Sequence, residues 1–266
     1  MKNKRYLFLG LFIMIILFKY SDKKTEEDIL KKVAYKKIEI TDVSDLYKDR
    51  DGEGLYIFSN TELDFRELPS KERKDAFVKL LLPAINVVHE EIRNDKKIIK
   101  KLKTKTELTE KEKKYCENIF SKYKVKYGNW QELESKMIIY PTSLILTQGA
   151  IESAWGTSRF FREGNNIFGM WSINPSEPRI AANGSRENGF VPHLKKYETI
   201  KDSVADIVLT ISRNDAYKKV RELVKKEKPA TEIANGLIKY SEEGEEYIRK
   251  VRTTMAHNDF MKYDLE

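Results

Sequence analysis

Gln148-Gly149-Ala150-Ile151-Glu152-Ser153-Ala154-Trp155-Gly156-Thr157-Ser158-Arg159-Phe160, continuing through Phe161-Arg162-Glu163-Gly164 into Asn165-Asn166-Ile167-Phe168-Gly169-Met170-Trp171, decides how this chain reads. It sets one carboxylate, Glu152, near the end of an apolar run. A turn rich in small residues, a pair of asparagines and a cluster of aromatics follow. Upstream, Pro141 suits a first helical turn, where a missing amide hydrogen costs nothing. Leu144, Ile145, Leu146, Ala150, Ile151, Ala154 and Trp155 make the segment apolar almost all round, the pattern of a buried helix. Gly156 is placed to end it, because glycine takes the left-handed cap conformation without steric penalty.

On such a helix Glu152 has Gln148 and Gly149 one turn behind it and Trp155 and Gly156 one turn ahead. A glycine inside a helix costs about 1 kcal/mol relative to alanine, so Gly149 is expected to leave room beside the carboxylate. Exclusion of water and a nearby indole favour the neutral acid and raise its pKa. A carboxylic acid kept protonated near neutral pH can donate its proton to a glycosidic oxygen. The competing reading is a glutamate turned to solvent or paired with Arg159; so apolar a helix argues against it.

These residues carry a resemblance. Tyr140-Pro141-Thr142-Ser143-Leu144, the run Glu152 to Phe160 and Gly164-Asn165-Asn166-Ile167-Phe168-Gly169 resemble the bacterial Bax-type proteins, unrelated to the apoptosis regulator of that name. More broadly they resemble the peptidoglycan-hydrolysing N-acetylglucosaminidases of glycoside hydrolase family 73. The Glu-Ser-x-x-Gly core is shared with lytic transglycosylases; the extension through Trp-Gly-Thr-Ser-Arg-Phe to Asn-Asn-Ile-Phe-Gly is the specific part. The Gly-Leu-Met-Gln run usual in transglycosylases is absent. The similarity spans roughly Lys71 to Asn258. It implies a lysozyme-like fold, mainly α with a small β-rich lobe, a general acid at Glu152, and cleavage after N-acetylglucosamine in cell-wall glycan. It also implies a site role for Tyr240, whose Tyr240-Ser241-Glu242-Glu243 run, with Tyr247 following, resembles the family's Tyr-x-x-acid motif.

Other members place a further acid in the β-rich lobe, which here would run from Ser172 to Tyr197. Its acids are Glu177 and Glu187, and Glu187, in a run with strong turn signals, is the candidate second carboxylate. Two carboxyl groups about 5 Å apart would mean retention and about 6.5–9.5 Å inversion; a substrate-assisted route would need only one. The sequence leaves all three open. Gln148, Trp155, Asn166, Phe168 and Trp171 are the expected substrate-binding residues, with Phe190 and Tyr197 as further aromatics on which sugar faces could stack. Each aromatic also suits a core, and the asparagines also suit a left-handed turn.

The chain has 266 residues, enough for one lysozyme-sized domain with extensions. Lys2, Lys4 and Arg5 precede an apolar run, Tyr6 to Phe18, of signal-peptide length and short of the roughly 20 residues of a membrane span. With no small-x-small cleavage site after it, residues 1–20 are expected to direct export and to anchor the protein at the outer face of the cytoplasmic membrane. Residues 21–68 are expected to form a polar stalk or small subdomain with a strand at Lys37–Thr41, and residues 69–266 the lysozyme-like domain. Fifty Lys and Arg against 42 Asp and Glu give a formal charge of +8, which suits anionic wall polymers; no nucleic-acid motif is present. Cys116 stands alone, and His89, His193 and His257 lack metal-ligand spacing, so neither a disulfide, a metal nor a cofactor is expected. The rival functions are a muramidase or lytic transglycosylase, and a non-catalytic wall-binding protein of the same fold.

Overall fold

The computed structural model describes residues 29–59, 63–184 and 191–264. The apolar run at residues 6–18 and the Glu187 turn lie outside these residues, so the export segment and the proposed second carboxylate are not placed. Among the described residues no helix is long and apolar enough to cross a membrane.

The body is helical. The long helix α1 (Ser70–Leu102) buries Phe77, Leu80, Leu81, Ala84, Ile85 and Val88 along one face. Helix α2 (Glu110–Lys122) opens on a capping box in which Thr109 and Glu112 satisfy each other's backbone amides. Asn129 caps α3 (Trp130–Lys136). The acid-bearing helix α4 (Thr142–Glu152) is the central element: every residue from Thr142 to Ala150 is buried. It packs on α1, on α9 (Glu245–His257) and on the closing 3-10 turn Phe260–Asp264. Asp264 fixes its start, accepting hydrogen bonds from the Ser143 amide (2.9 Å) and hydroxyl (2.6 Å). A carboxylate there also complements the positive end of the helix.

After the short α5 (Arg159–Gly164) comes a small lobe, with β3 (Arg179–Ala181) antiparallel to β4 (His193–Lys195). Thr199 and Asp202 then form a capping box for α6 (Ile200–Arg213), and α7 (Lys218–Lys225) and α8 (Ala230–Ile233) lead to α9. The architecture is mainly α with a small β part, as expected.

The segment before Ser70 is less separate than a stalk. Strands β1 (Lys36–Glu39) and β2 (Tyr56–Ser59) pair in parallel, and Ile40, Leu46, Ile57, Phe58, Leu63 and Phe65 join the same hydrophobic core as α1, α4 and α9. The charged residues of this stretch hid a buried alternate set. Phe65 is fully buried and its ring lies 6.1 Å from that of Phe161. Phe65→Ala should therefore lower the stability of the whole protein by about 3–5 kcal/mol in one cooperative transition, measured by calorimetry. A separate low-temperature transition would instead show that the segment before Ser70 folds as its own unit.

Candidate active site

Helix α4 stops at Glu152, three residues earlier than its apolar pattern suggests. Ser153 is the cap, and Ala154, Trp155 and Gly156 all take positive φ (50°, 58° and 78°). The left-handed region costs a non-glycine residue roughly 1–2 kcal/mol, so the turn needs compensation. Ser153 supplies it: its hydroxyl donates to the Gly149 carbonyl (2.6 Å) and accepts from the Gly156 amide (2.9 Å). The Trp155 amide reaches back to the Ala150 carbonyl (2.9 Å) and the Ser158 amide to the Ser153 carbonyl (3.0 Å). Gly156 is also pressed on the core, where a Cβ would lie 2.8 Å from the Phe65 ring. The sharp turn leaves Glu152 as the last residue of a buried helix.

Two of its helical neighbours do something other than expected. A Cβ on Gly149 would meet Ile167, Leu81 and Phe77 at 3.0–3.3 Å, so this glycine lets α4 close on α1 and not make room for the acid. Trp155, with its left-handed backbone, packs against the core. Its indole packs edge-on against Phe77 (5.8 Å) and near Phe260 (6.0 Å), with the Lys74 ammonium 4.8 Å above the ring.

The partner of Glu152 comes from α9. The Tyr247 hydroxyl donates to Glu152 Oε1 at 2.9 Å. Tyr240 stacks on Tyr247 with ring centroids 5.1 Å apart and planes 23° from parallel, and Tyr217 lies behind it at 6.2 Å. Thus Tyr240, the tyrosine singled out in the sequence, backs the residue that touches the acid. Glu243 and Lys250 flank the site as an ion pair (2.7 Å).

The other expected residues divide. Gln148 has no exposed surface; its carbonyl accepts from the Tyr140 hydroxyl at 2.8 Å. Asn166 is buried and saturated, donating to the Met170 and Lys195 carbonyls (2.9 and 2.8 Å) and accepting from the Met170 amide (2.9 Å), so it ties the turn to the lobe. Phe168 belongs to the core. Trp171 is half exposed at the edge of the lobe, bridged to Leu194. Tyr197 donates to Asp206, beside Lys195 on the same carboxylate (both 2.7 Å), which fastens the lobe to α6. Glu177 is half-buried in the lobe.

A family model described as mannosyl-glycoprotein endo-beta-N-acetylglucosaminidase matches residues 127–260, half of the chain. The chain belongs to this glucosaminidase family. It is similar to Protein bax of Escherichia coli (strain K12), 29% identical over 197 residues that cover 69% of each protein. Among solved structures it is similar to the glycoside hydrolase domain of Salmonella typhimurium FlgJ (21% identity, 55% of this chain and 90% of that one, TM-score 0.39). Another is the catalytic domain of the autolysin Auto from Listeria monocytogenes (16% identity, 62% and 94%, TM-score 0.40).

In this member of the glucosaminidase family the ionisation of Glu152 is set by opposing influences. Burial is the largest and raises its pKa; the Tyr247 hydrogen bond lowers it, the Glu243 charge raises it and Lys250 lowers it. The position at the carboxyl end of α4, where the helix dipole is negative, works with burial. The net direction is upward. Glu243 is the acid of the Tyr-x-x-acid run, whereas Lys250 escaped the sequence reading because it lies far from Glu152 along the chain and looks like ordinary charged surface. The run Tyr240 to Tyr247, two tyrosines around consecutive acids, was the available signal. Among the described residues no cluster of His, Cys, Asp or Glu could hold a metal ion. Cys116 is buried, with its thiol pushed up to about 11, and His89 is buried against the Tyr140 carbonyl and pushed down to about 4.

The raised pKa has a sign for stability. Between the unfolded and folded pKa values the native state binds more protons, so Glu152 contributes stability at low pH that is lost as pH rises through its folded pKa. Glu152→Gln removes that loss. The variant should melt a few degrees above the parent at pH 8, on the order of 2–4 °C for each kcal/mol, with the gap closing toward pH 4. A thermal shift series over pH checks this; a constant gap would show that Glu152 does not titrate between the two states in that range.

Proposed function

We propose that the protein is an exported endo-β-N-acetylglucosaminidase that hydrolyses the glycan strands of peptidoglycan, with Glu152 as its general acid. The observation that carries this is the Glu152 environment: a half-buried carboxyl with raised pKa, holding one hydrogen bond from Tyr247 through Oε1. Family membership supports the reaction class. The net charge of +8 favours a polyanionic wall.

In this reading burial favours the protonated form of Glu152. Its carboxyl proton passes to the glycosidic oxygen, the bond to the sugar carbon breaks, and water completes the hydrolysis. The carboxylate left behind is the charged form, and the Tyr247 hydroxyl and the Lys250 ammonium both favour it. The same groups that bring the pKa down from its fully desolvated value thus act on the product of the proton transfer. Trp171 offers a sugar-stacking face at the rim. Tyr240 holds Tyr247 from behind.

Soluble protein lacking residues 1–20 is incubated with purified peptidoglycan, and the fragments are analysed by mass spectrometry beside Glu152→Gln. Reducing N-acetylglucosamine ends are expected from the parent and should fall at least about 100-fold in the variant, the lower range for a general acid. Reducing N-acetylmuramic acid or anhydro ends would move the cleaved bond and make the protein a muramidase or transglycosylase. Binding without release by either protein would make it a wall-binding module. Trp171→Ala should raise KM about tenfold, the equivalent of one stacking contact of about 1.4 kcal/mol, with the melting temperature unchanged.

A further inference from the structure

Residues 96–126 hold twelve lysines and four glutamates, with no arginine or aspartate, a net charge of +8. That equals the formal charge of the entire chain, so the remainder is balanced within itself. All twelve lysines are exposed. The stretch is a hairpin made of the end of α1, a turn, α2 and the segment after it. Ile98, Ile99 and Leu102 of α1 meet Cys116, Ile119 and Phe120 of α2 in a hydrophobic cluster distinct from the main core. Asp95 ties the two helices, accepting from the Tyr115 hydroxyl (2.7 Å) and the Lys122 ammonium (3.3 Å). The residues matched by the family model begin at 127, where the hairpin ends.

Folding does not account for this charge. Lys97, Lys103, Lys105 and Lys122 have carboxylate partners in Glu90, Glu134, Glu112 and Asp95; the other eight have none within 4.0 Å among the described residues. Lys96 and Lys100, and Lys97 and Lys101, stand four apart on α1, a spacing at which like charges destabilise a helix. Lysines in the last turn of α1 complement its negative end, but Lys111, Lys113 and Lys114 lie in the opening turns of α2, at its positive end, where a cation is disfavoured.

The kind of charge narrows the partner. An ammonium is a compact, hydrated point charge without the planar fork that fixes one acceptor in one geometry. A row of them suits a partner carrying many anionic groups in loose register. Both helices turn their apolar sides to the shared cluster and their lysines away from it, so the charge covers both outer sides of the hairpin. A flexible polymer can reach both sides, whereas a flat membrane meets one. No large apolar side chain is exposed in residues 96–126 to enter a bilayer.

We propose that this hairpin is a polyanion-docking arm that holds the protein on peptidoglycan through the carboxylates ending its peptide branches, separately from the groove at Glu152. The proposal rests on the function proposed above for the identity of the polymer. Opposite charge on a network raises the local concentration of the two partners, so the groove meets a fresh strand after each release.

Full-length protein in nonionic detergent is sedimented with purified peptidoglycan and with the same material after amidation of its carboxylates. The parent is compared with an arm variant, Lys100→Gln/Lys101→Gln/Lys111→Gln/Lys114→Gln, with arginine at the same four positions, and with a control of equal net charge, Lys218→Gln/Lys219→Gln/Lys225→Gln/Lys226→Gln. All eight lysines are exposed. The arm variant should bind the native wall at least about tenfold more weakly, and the arginine variant and the control within about twofold of the parent. Its binding should also depend less steeply on salt. On the amidated wall the parent should bind as weakly as the arm variant. On soluble glycan fragments stripped of peptide, kcat/KM should be the same in all four proteins. Equal losses in the arm variant and the control would place the effect in total charge. A loss of the same size on the amidated wall would place it in packing. Either result, or no loss at all, overturns the proposal. So does a loss confined to phosphatidylglycerol-containing vesicles, measured against pure phosphatidylcholine, which would make the membrane the partner. A parent that binds through the arm and cleaves nothing would refute the proposed activity and leave the arm standing.

Discussion

The 2.9 Å hydrogen bond from Tyr247 to Glu152 is the contact on which the site depends, because it joins two elements that the chain builds ninety-five residues apart. Glu152 is the last residue of α4, and Tyr247 lies in the first turns of α9. Everything that fixes these two helices against each other fixes the distance between acid and hydroxyl. Asp264 pins the amino end of α4 from beyond α9, and the buried face of α4 meets Tyr247, Ile248, Val251 and Met255 in one core. A shift of a fraction of an ångström in that packing would be felt at the carboxyl, since hydrogen bonds weaken steeply outside a narrow range.

The turn after Glu152 shows how a local cost is made structural. Three successive residues in the left-handed region are unfavourable by themselves, yet they let the chain leave α4 at once and return toward α5. If the helix ran on to Trp155, Glu152 would sit inside it with a further turn shielding the carboxyl. The observed break exposes one side of the acid and keeps the other buried. Ser153, placed between acid and turn, satisfies the backbone on both sides with a single hydroxyl. The Glu-Ser pair is thus a structural unit, and the small residues after it answer to the same geometry.

Much of this was legible from the residues. The alternation at Lys37–Thr41 is a local signal, and β1 appears where its spacing put it; the Thr109/Glu112 box, the Thr199 cap and the apolar face of α1 are local features of the same kind. Glu152 stood out because a lone carboxylate in an apolar helix is costly. What could not be read was long-range or depended on backbone handedness. Trp155 looked like a neighbour of the acid on a helical wheel, but the wheel ends at Glu152. Asn166 and Phe168 looked like groove residues because amides and rings suit sugars, whereas three hydrogen bonds and full burial commit them to the turn and the core. The Tyr-x-x-acid run pointed to Tyr240; that the hydroxyl meeting the acid is that of Tyr247 is decided by how α9 packs on α4.

The division of labour among these tyrosines follows from what a general acid requires. A carboxyl that is merely buried holds its proton but is a poor donor, because the anion it must form is as disfavoured as its neutral state is favoured. A carboxyl fully matched with donors is an anion already at neutral pH and has nothing to give. The useful state lies between, with one strong neutral donor and a desolvated surrounding. A phenol serves better here than a lysine or arginine, since it favours the anion without adding a full charge that would drain the acid beforehand. The charges nearby, Glu243 and Lys250, are paired with each other and act on Glu152 with opposite signs. What remains to tune the acid is then the strength of one hydrogen bond, the one that Tyr247 donates.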